Sequence, residues 1–375
     1  MATSSIARLD RGDRFHPDPE RSYTLPSRYY YDEDIYQREH EAIFYKNWLY
    51  VCHGETVREP GDYTTFEAAD QNIVVVRGKD GVLRAFYNVC SHRAHELLKG
   101  SGRTKVITCP YHAWSYHIDG TLRTARGSEK VEGFDADEFC LTSVQVEEFC
   151  NFVFINMDNQ AAPLAEQSKG LEANIRSYVP DLDQLTHAYR LTFDIKANWK
   201  NVLDNFLECY HCPITHPAFA NGLVDLSTFG IVTYGIYSTH HSKGGTGDNA
   251  AYNASDADDP NHSVWWLWPN TCILRFPGTA NLSVWRMIPT GPETTREIFD
   301  FFLLDKTVDD QSKDAIDYID KVLQVEDIAV VESVQCGFHS RAYDQGRFIV
   351  DPDRGAASEH GVHHFQALVR QHIDG

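Results

Sequence analysis

The chain contains no run of about 18 or more apolar residues, and its first stretch, Met1 to Ser22, is polar and charged without a hydrophobic signal core. Neither a membrane span nor a secretory leader is therefore expected, and the protein is expected to be soluble and cytoplasmic. Basic residues are in deficit: 34 Lys and Arg face 54 Asp and Glu, for a formal charge of −20. Nucleic-acid binding needs a basic footprint and is not expected, whereas a cationic ligand or a basic partner remains compatible with this charge. The cysteines number nine, which is odd and sparse for a chain of this length, so a disulfide framework is not expected either. No internal repeat or low-complexity tract is present. A nicotinamide or flavin fingerprint is missing too, since Gly244-Gly245-Thr246-Gly247 sits in a polar, loop-like tract without the strand and helix that a dinucleotide site needs.

What the chain does have is length and one dense motif. At 375 residues it exceeds the usual single domain, so two domains are expected. Cys90-Ser91-His92 is followed, after sixteen residues, by Cys109-Pro110-Tyr111-His112. Each knuckle supplies one thiol and one imidazole. A Rieske [2Fe–2S] cluster needs two thiolates on one iron and two imidazoles on the other, which Cys90 with Cys109 and His92 with His112 would provide. A zinc finger is the competing reading, but it draws its cysteines from one knuckle and its histidines from a helix.

Around this motif the pattern is of short strands. Ile73 to Arg77 and Val82 to Tyr87 flank a Lys79-Asp80-Gly81 turn and read as a hairpin leading to Cys90. Ala113 to Ile118, Asp119-Gly120 and Thr121-Leu122 read as a second hairpin carrying the other knuckle, and Phe152 to Asn156 as a further strand. Upstream, Ile35, Ile43, Phe44 and Trp48 suggest an amphipathic helix over Asp32 to Leu49.

A second constellation follows Asn198-Trp199-Lys200-Asn201. Glu208 and His211 are three apart and would share a helix face, while Pro213 before His216 should break the helix and let both imidazoles converge. Two histidines and one later carboxylate form the facial triad of non-haem Fe(II) oxygenases. The carboxylate is expected from the helical segment Glu326-Asp327-Ile328-Ala329-Val330-Val331-Glu332, with Asp327 the candidate and Glu326 and Glu332 its rivals. Cys209 and Cys212 form a C-x-x-C outside any thioredoxin-like context and read as packing residues. His95, His363 and His364 lack partners at ligand spacing and read as structural or surface histidines.

These motifs together resemble the catalytic α subunit of the Rieske non-haem iron oxygenases over nearly the whole chain, as far as Glu359-His360-Gly361. The resemblance implies an α+β fold, in which a Rieske β-sheet domain precedes a larger catalytic domain whose antiparallel sheet and helices enclose mononuclear Fe(II). The expected division is an amino-terminal segment and helix over 1–45, the Rieske domain over 46–160 and the catalytic domain over 161–375. It also implies a homotrimer in which electrons leave one subunit's cluster through His112, cross to the next by a bridging carboxylate at Glu208, and reach His211. Electrons would come from a separate NAD(P)H-dependent reductase, and O₂ would be activated at the iron.

Glu208 stands where many ring-hydroxylating members carry Asp. With Leu83 to Val89, Ala197 to Lys200 and Val331 to Gln335, it resembles the subgroup acting on quaternary ammonium compounds, which includes carnitine and choline monooxygenases and demethylases of glycine betaine and stachydrine. Ser91 and Ala94 depart from the Pro and Gly common in the first knuckle. Trp265-Trp266-Leu267-Trp268 holds three of the seven tryptophans. Aromatic faces attract a quaternary ammonium at about 0.5–2 kcal/mol per ring. Trp266 with Trp268, or Trp265 with Phe206, Tyr210, Phe229, Tyr234 or Tyr237, could form such a cage, against the plainer reading of an aromatic core. The expected activity is monooxygenation of a betaine-like substrate by N-demethylation or C–N cleavage; the alternatives are a ring-hydroxylating dioxygenase and a non-enzymatic electron carrier.

Overall fold

A computed structural model describes residues 12–245, 251–252, 261–304 and 306–375. Thr246 and Gly247 of the glycine tract lie outside the described residues. The chain forms two compact units: Phe44–Gln167, and the amino-terminal segment up to Ile43 together with Ser168–Gly375. The amino-terminal helix therefore belongs with the carboxy-terminal unit instead of standing as a separate segment.

That helix is shorter than its apolar spacing suggested. Asp32 caps α1 (Glu33–Glu39) by accepting from Asp34 N–H and Ile35 N–H, and a π-turn ends the helical run at Phe44. Leu49, placed at the helix end by periodicity, instead opens strand β1 (Leu49–His53).

In the first unit, β1 is followed by β2 (Asp62–Ala68), β3 (Gln71–Arg77), β4 (Leu83–Tyr87), β5 (Ser101–Arg103), β6 (Ile107–Thr108), β7 (Ser115–Tyr116), β8 (Leu122–Thr124), β9 (Ser143–Phe149) and β10 (Phe152–Asn156). They build a seven-stranded sheet in the order β1-β10-β9-β4-β3-β2-β5 and a three-stranded sheet β6-β7-β8. Both expected hairpins form, with Val75 opposite Ala85 and Ser115 opposite Thr124. Ile73 to Val76 are fully buried, and Val74 and Val76 pack with Phe86, Ile107, Trp114 and Tyr116 in one core beneath the cysteine knuckles. Gly120 turns the second hairpin at a φ of 91°, and a Cβ there would lie 2.4 Å from the Phe86 ring.

The second unit continues from α2 (Leu164–Gln167), the last element before the division, with α3 (Leu171–Tyr178), β11 (Leu185–Ile195), α4 (Trp199–Phe206), α5 (Cys212–Thr215), β12 (Val224–Tyr234), β13 (Tyr237–Gly244), β14 (His262–Leu267), β15 (Thr271–Arg275), β16 (Asn281–Gly291), β17 (Thr294–Leu304), α6 (Asp310–Tyr318), α7 (Gln324–Phe338) and α8 (His360–Asp374). Its antiparallel sheet runs β11-β17-β16-β15-β14-β13-β12. Every residue of β14 and β15 is buried, as the two covered faces of a central strand require.

The helices are tied together by polar groups placed in the core. Asn198 caps α4 by accepting from Lys200 N–H at 2.9 Å. Lys200 and Glu39, both fully buried, pair directly, and Trp199 Nε1 donates to the other Glu39 oxygen at 2.7 Å. α1 and α4 are thereby pinned. α8 packs Phe365 against Trp199 and Trp266, and its first turn runs so close to Leu207 that a Cβ on Gly361 would lie 2.4 Å from the Leu207 carbonyl oxygen. Lys200→Met leaves Glu39 buried without its cation and should cost about 3–5 kcal/mol, read as a lowered midpoint in urea unfolding. A midpoint within error of the unmodified protein would refute this role for the pair.

Candidate functional site

The two cysteine knuckles fold alike. Ala94 N–H donates to Cys90 O, and Ala113 N–H to Cys109 O, each at 3.0 Å. The alanines sit at φ values of 53° and 61°, a left-handed conformation that glycine adopts with least strain. Cys90 and Cys109 are buried and carry free thiols, whereas His92 is exposed and His112 half-buried. The two imidazoles lie 4.7 Å apart, ring centre to ring centre, and His92 stacks on Trp114 at the same distance. Sulfurs inward and imidazoles outward is the donor arrangement a Rieske cluster requires, so these four residues could hold one. Tyr116 reaches under the first knuckle, with its hydroxyl 3.3 Å from Cys90 Sγ and accepting from Ser91 N–H at 3.0 Å.

In the larger unit the helix carrying the second motif ends earlier than expected. α4 stops at Phe206 with Leu207 as its C-cap, so Glu208 and His211 lie in the turn before α5 and do not share a helix face. The turn itself brings them together: Glu208 Oε2 accepts from the N–H groups of Tyr210 and His211, and Oε1 pairs with His211 Nδ1. Pro213 stands at the start of α5 and His216 follows its last residue. The same turn joins Cys209 to Cys212 as a disulfide, with Cα atoms 4.9 Å apart. This corrects their reading as two packing thiols, because the bend after α4 closes the gap between them.

α7 supplies the carboxylate. Donor atoms of His211, His216 and Asp327 all lie within 4.8 Å of one another. Asp327 Oδ1 is 2.9 Å from His216 Nε2 and 3.6 Å from His211 Nε2. Both Nδ1 atoms are held from behind, by Glu208 on His211 and by Glu326 on His216 at 2.8 Å. Of the rivals to Asp327, Glu326 is thus this outer partner, and Glu332 accepts from Lys196 N–H instead. A carboxylate at each Nδ1 favours the tautomer that carries its proton there, which would leave both Nε2 atoms to bind together with Asp327, so the three residues could hold one divalent metal. Burial alone would lower the pKa of His216, but Asp327 and Glu326 carry it above its ordinary value.

A cavity of about 100 Å³ opens beside these three residues. Phe206, Phe219, Phe229, Phe276, Trp285 and Glu297 help to line it, and none of its described lining residues is Lys or Arg. The aromatic cage expected from sequence is therefore only partly placed here. Trp265 packs on Tyr178 and His241 and donates to Asn174, on the far face of the sheet. Trp266 and Trp268 belong to the core beneath α8, beside Phe365. Tyr210 is 51% exposed and does not line the cavity, and Tyr234 stacks on Tyr237 away from it. These corrections share one cause: strand alternation and helix packing decide which ring faces the cavity, and a cluster of aromatic letters does not. The residues missed, Phe219, Phe276, Trp285 and Glu297, are scattered over a π-turn, a loop and two strands that only the tertiary fold brings together. His363 and His364 are structural, directing Nε2 to the carbonyls of His16 and Gly235.

Two further cavity residues are histidines that stay neutral. Burial pushes His240 and His262 down to about 3, with the neighbouring His241 a secondary cause for both. Their folded pKa lies below the ordinary value of about 6.5, so between about pH 6.5 and 3 the unfolded chain binds protons that the folded one cannot. Stability should therefore fall as pH drops through this window, by up to about 1.4 kcal/mol per pH unit for each histidine. Urea midpoints measured from pH 7 to 4 should decline less steeply in His262→Gln; equal slopes would refute the assignment.

Comparison with known proteins agrees with this geometry. Residues 47–135 match the Rieske [2Fe-2S] domain and residues 182–375 the ring hydroxylating alpha subunit catalytic domain. The carnitine monooxygenase oxygenase subunit of Acinetobacter pittii is 39% identical over 96% of this chain and 97% of its own length. The chloroplastic choline monooxygenase of Arabidopsis thaliana is 30% identical over 94% of this chain and 84% of its own. The crystal structure of a quaternary ammonium Rieske monooxygenase with L-carnitine superposes with a TM-score of 0.86, at 37% identity, covering 98% of this chain and all of the other. Among the described residues no helix is long and apolar enough to cross a membrane. The chain is a member of the Rieske non-haem iron oxygenases, enzymes whose α subunit joins a [2Fe–2S] domain to a catalytic domain binding mononuclear iron.

Proposed function

We propose that this chain is the oxygenase component of a monooxygenase that oxidises a small quaternary ammonium compound, by N-demethylation or C–N cleavage, using O₂ and electrons from a separate NAD(P)H-dependent reductase. One observation carries the reading: the cavity beside His211, His216 and Asp327 is walled by aromatic rings and one buried carboxylate, with no cationic side chain among its described lining residues. A trimethylammonium head would meet π faces, each worth about 0.5–2 kcal/mol. Full-length likeness to carnitine monooxygenase subunits supports the same class.

In this reading Cys90 and Cys109 hold one iron of the cluster, His92 and His112 the other, and His211, His216 and Asp327 hold the mononuclear Fe(II). When bound, the cluster supplies electrons singly and the mononuclear iron binds O₂. The protein's own work is to orient and to exclude. Glu208 and Glu326 keep the Nδ1 protons in place, so that each Nε2 presents its lone pair inward. Phe206, Phe276 and Trp285 keep water from the face where the substrate carbon lies. Glu208 is also the bridge between copies in a homotrimer, its carboxylate receiving His112 of the partner subunit. A cytoplasmic setting, where reduced nicotinamide is available, suits such a system.

A single-turnover assay tests the activity. The iron-loaded protein is reduced chemically, then given O₂ with a panel of carnitine, γ-butyrobetaine, glycine betaine, choline and aromatic acids. Formaldehyde with a demethylated amine, or trimethylamine with an aldehyde, is expected; a hydroxylated ring or cis-diol with no reaction of the betaines would replace this reading by a ring-hydroxylating one. His211→Ala should abolish product and mononuclear iron while keeping the cluster's spectrum. Tyr116→Phe removes a hydrogen bond to a ligand sulfur, which favours the reduced cluster, and should lower its potential by about 20–60 mV in a redox titration. An unchanged potential would mean that the hydroxyl does not act on the cluster.

A further inference from the structure

We propose that Glu297 selects for fixed positive charge in this cavity, its carboxylate serving as the counter-charge to the ammonium head of the substrate. The proposal rests on the quaternary ammonium reading and adds a residue that aromatic contact alone does not call for.

Glu297 stands on β17, two residues before Phe299, whose ring stacks on Trp285 at 3.7 Å between ring centres. It is 2% exposed and lines the cavity together with Trp285 and Phe276. Its carboxylate accepts from Gln324 Nε2, and among the described residues no Lys, Arg or His forms an ion pair with it. A buried, uncompensated carboxylate is strongly disfavoured, and such groups are paired or neutralised. Burial first, and the Asp327 charge next, push the pKa of Glu297 up to about 8, the direction expected of a carboxylate without a cation beside it.

Among the described lining residues nothing supplies the missing cation. His262 and His240 are neutral, as their depressed pKa values require. The metal does not need Glu297 either, because Asp327, Glu208 and Glu326 already place three carboxylates on the two imidazoles that would surround a dication. The charge of Glu297 is therefore left for whatever enters the cavity. A quaternary nitrogen suits that position, since it cannot donate a hydrogen bond and is recognised only by charge and by aromatic faces. Glu297 acts here as a specificity residue and moves no proton to or from the reacting carbon.

The test compares cations with their carbon isosteres by titration calorimetry on the iron-loaded holoenzyme. Choline is paired with 3,3-dimethylbutan-1-ol and γ-butyrobetaine with 5,5-dimethylhexanoate. The unmodified protein should prefer at least one cation to its isostere. In Glu297→Gln that preference should shrink by about tenfold or more, with isostere binding, iron content and cluster spectrum retained, which shows that the variant is folded. If the preference survives the substitution, the proposal is overturned and the substrate reading stands. Equal loss of cation and isostere would make Glu297 a structural residue and overturn the proposal too. No preference for either cation in the unmodified protein would overturn the substrate reading and this proposal with it.

Discussion

The site in the larger unit depends on an ion pair that no water reaches. Lys200 and Glu39 are fully buried, and each is shifted toward neutrality by burial while its partner opposes the shift. Such a pair tolerates little displacement, because moving either end strands a charge in a low-dielectric interior. It holds α4 at its first turn, with Trp199 donating to the same carboxylate. The turn after α4 then starts from a defined point. Glu208 and His211 are positioned by that turn, and Gly361 allows α8 to close against its first carbonyl.

Charge is arranged around the second site in concentric layers. Three donor atoms face one another at the centre, and two carboxylates hold the imidazoles from outside. Beyond them lies an apolar wall in which one carboxylate, two neutral histidines and several aromatic rings meet the cavity. The neutral histidines matter as much as the charged groups. A protonated His240 or His262 would repel a cation from the wall, and burial prevents that protonation across the physiological range.

The smaller unit follows a simpler logic. Two short hairpins present two loops of the same form, and left-handed alanines at Ala94 and Ala113 complete each loop where the chain turns back on itself. The apolar core beneath buries the thiols and leaves the imidazoles outward. Tyr116 joins core and knuckle, and its hydroxyl reaches Cys90 Sγ from beneath.

The sequence alone determined what depends on spacing. Mixed Cys/His knuckles and the hairpins that carry them are local, and each is complete within about thirty residues. The histidine pair with Pro213 and the acidic stretch at Glu326-Asp327 could be read as metal-binding because few other roles suit those residue types together. What tertiary structure decided is direction. Whether Glu326 or Asp327 faces the imidazole Nε2 atoms depends on how α7 is rotated, and a one-residue change in a helix turns a side chain by about 100°. Which rings line the cavity depends on the alternation and pairing of seven strands, so Trp265 is turned to the far face and Trp266 to the core under α8, while Trp285 and Glu297 reach the cavity from other strands. The helices end before Leu49 and Glu208, short of what residue spacing alone suggests, for a related reason: apolar spacing records burial, and burial continues where a helix hands the chain to a strand or a turn.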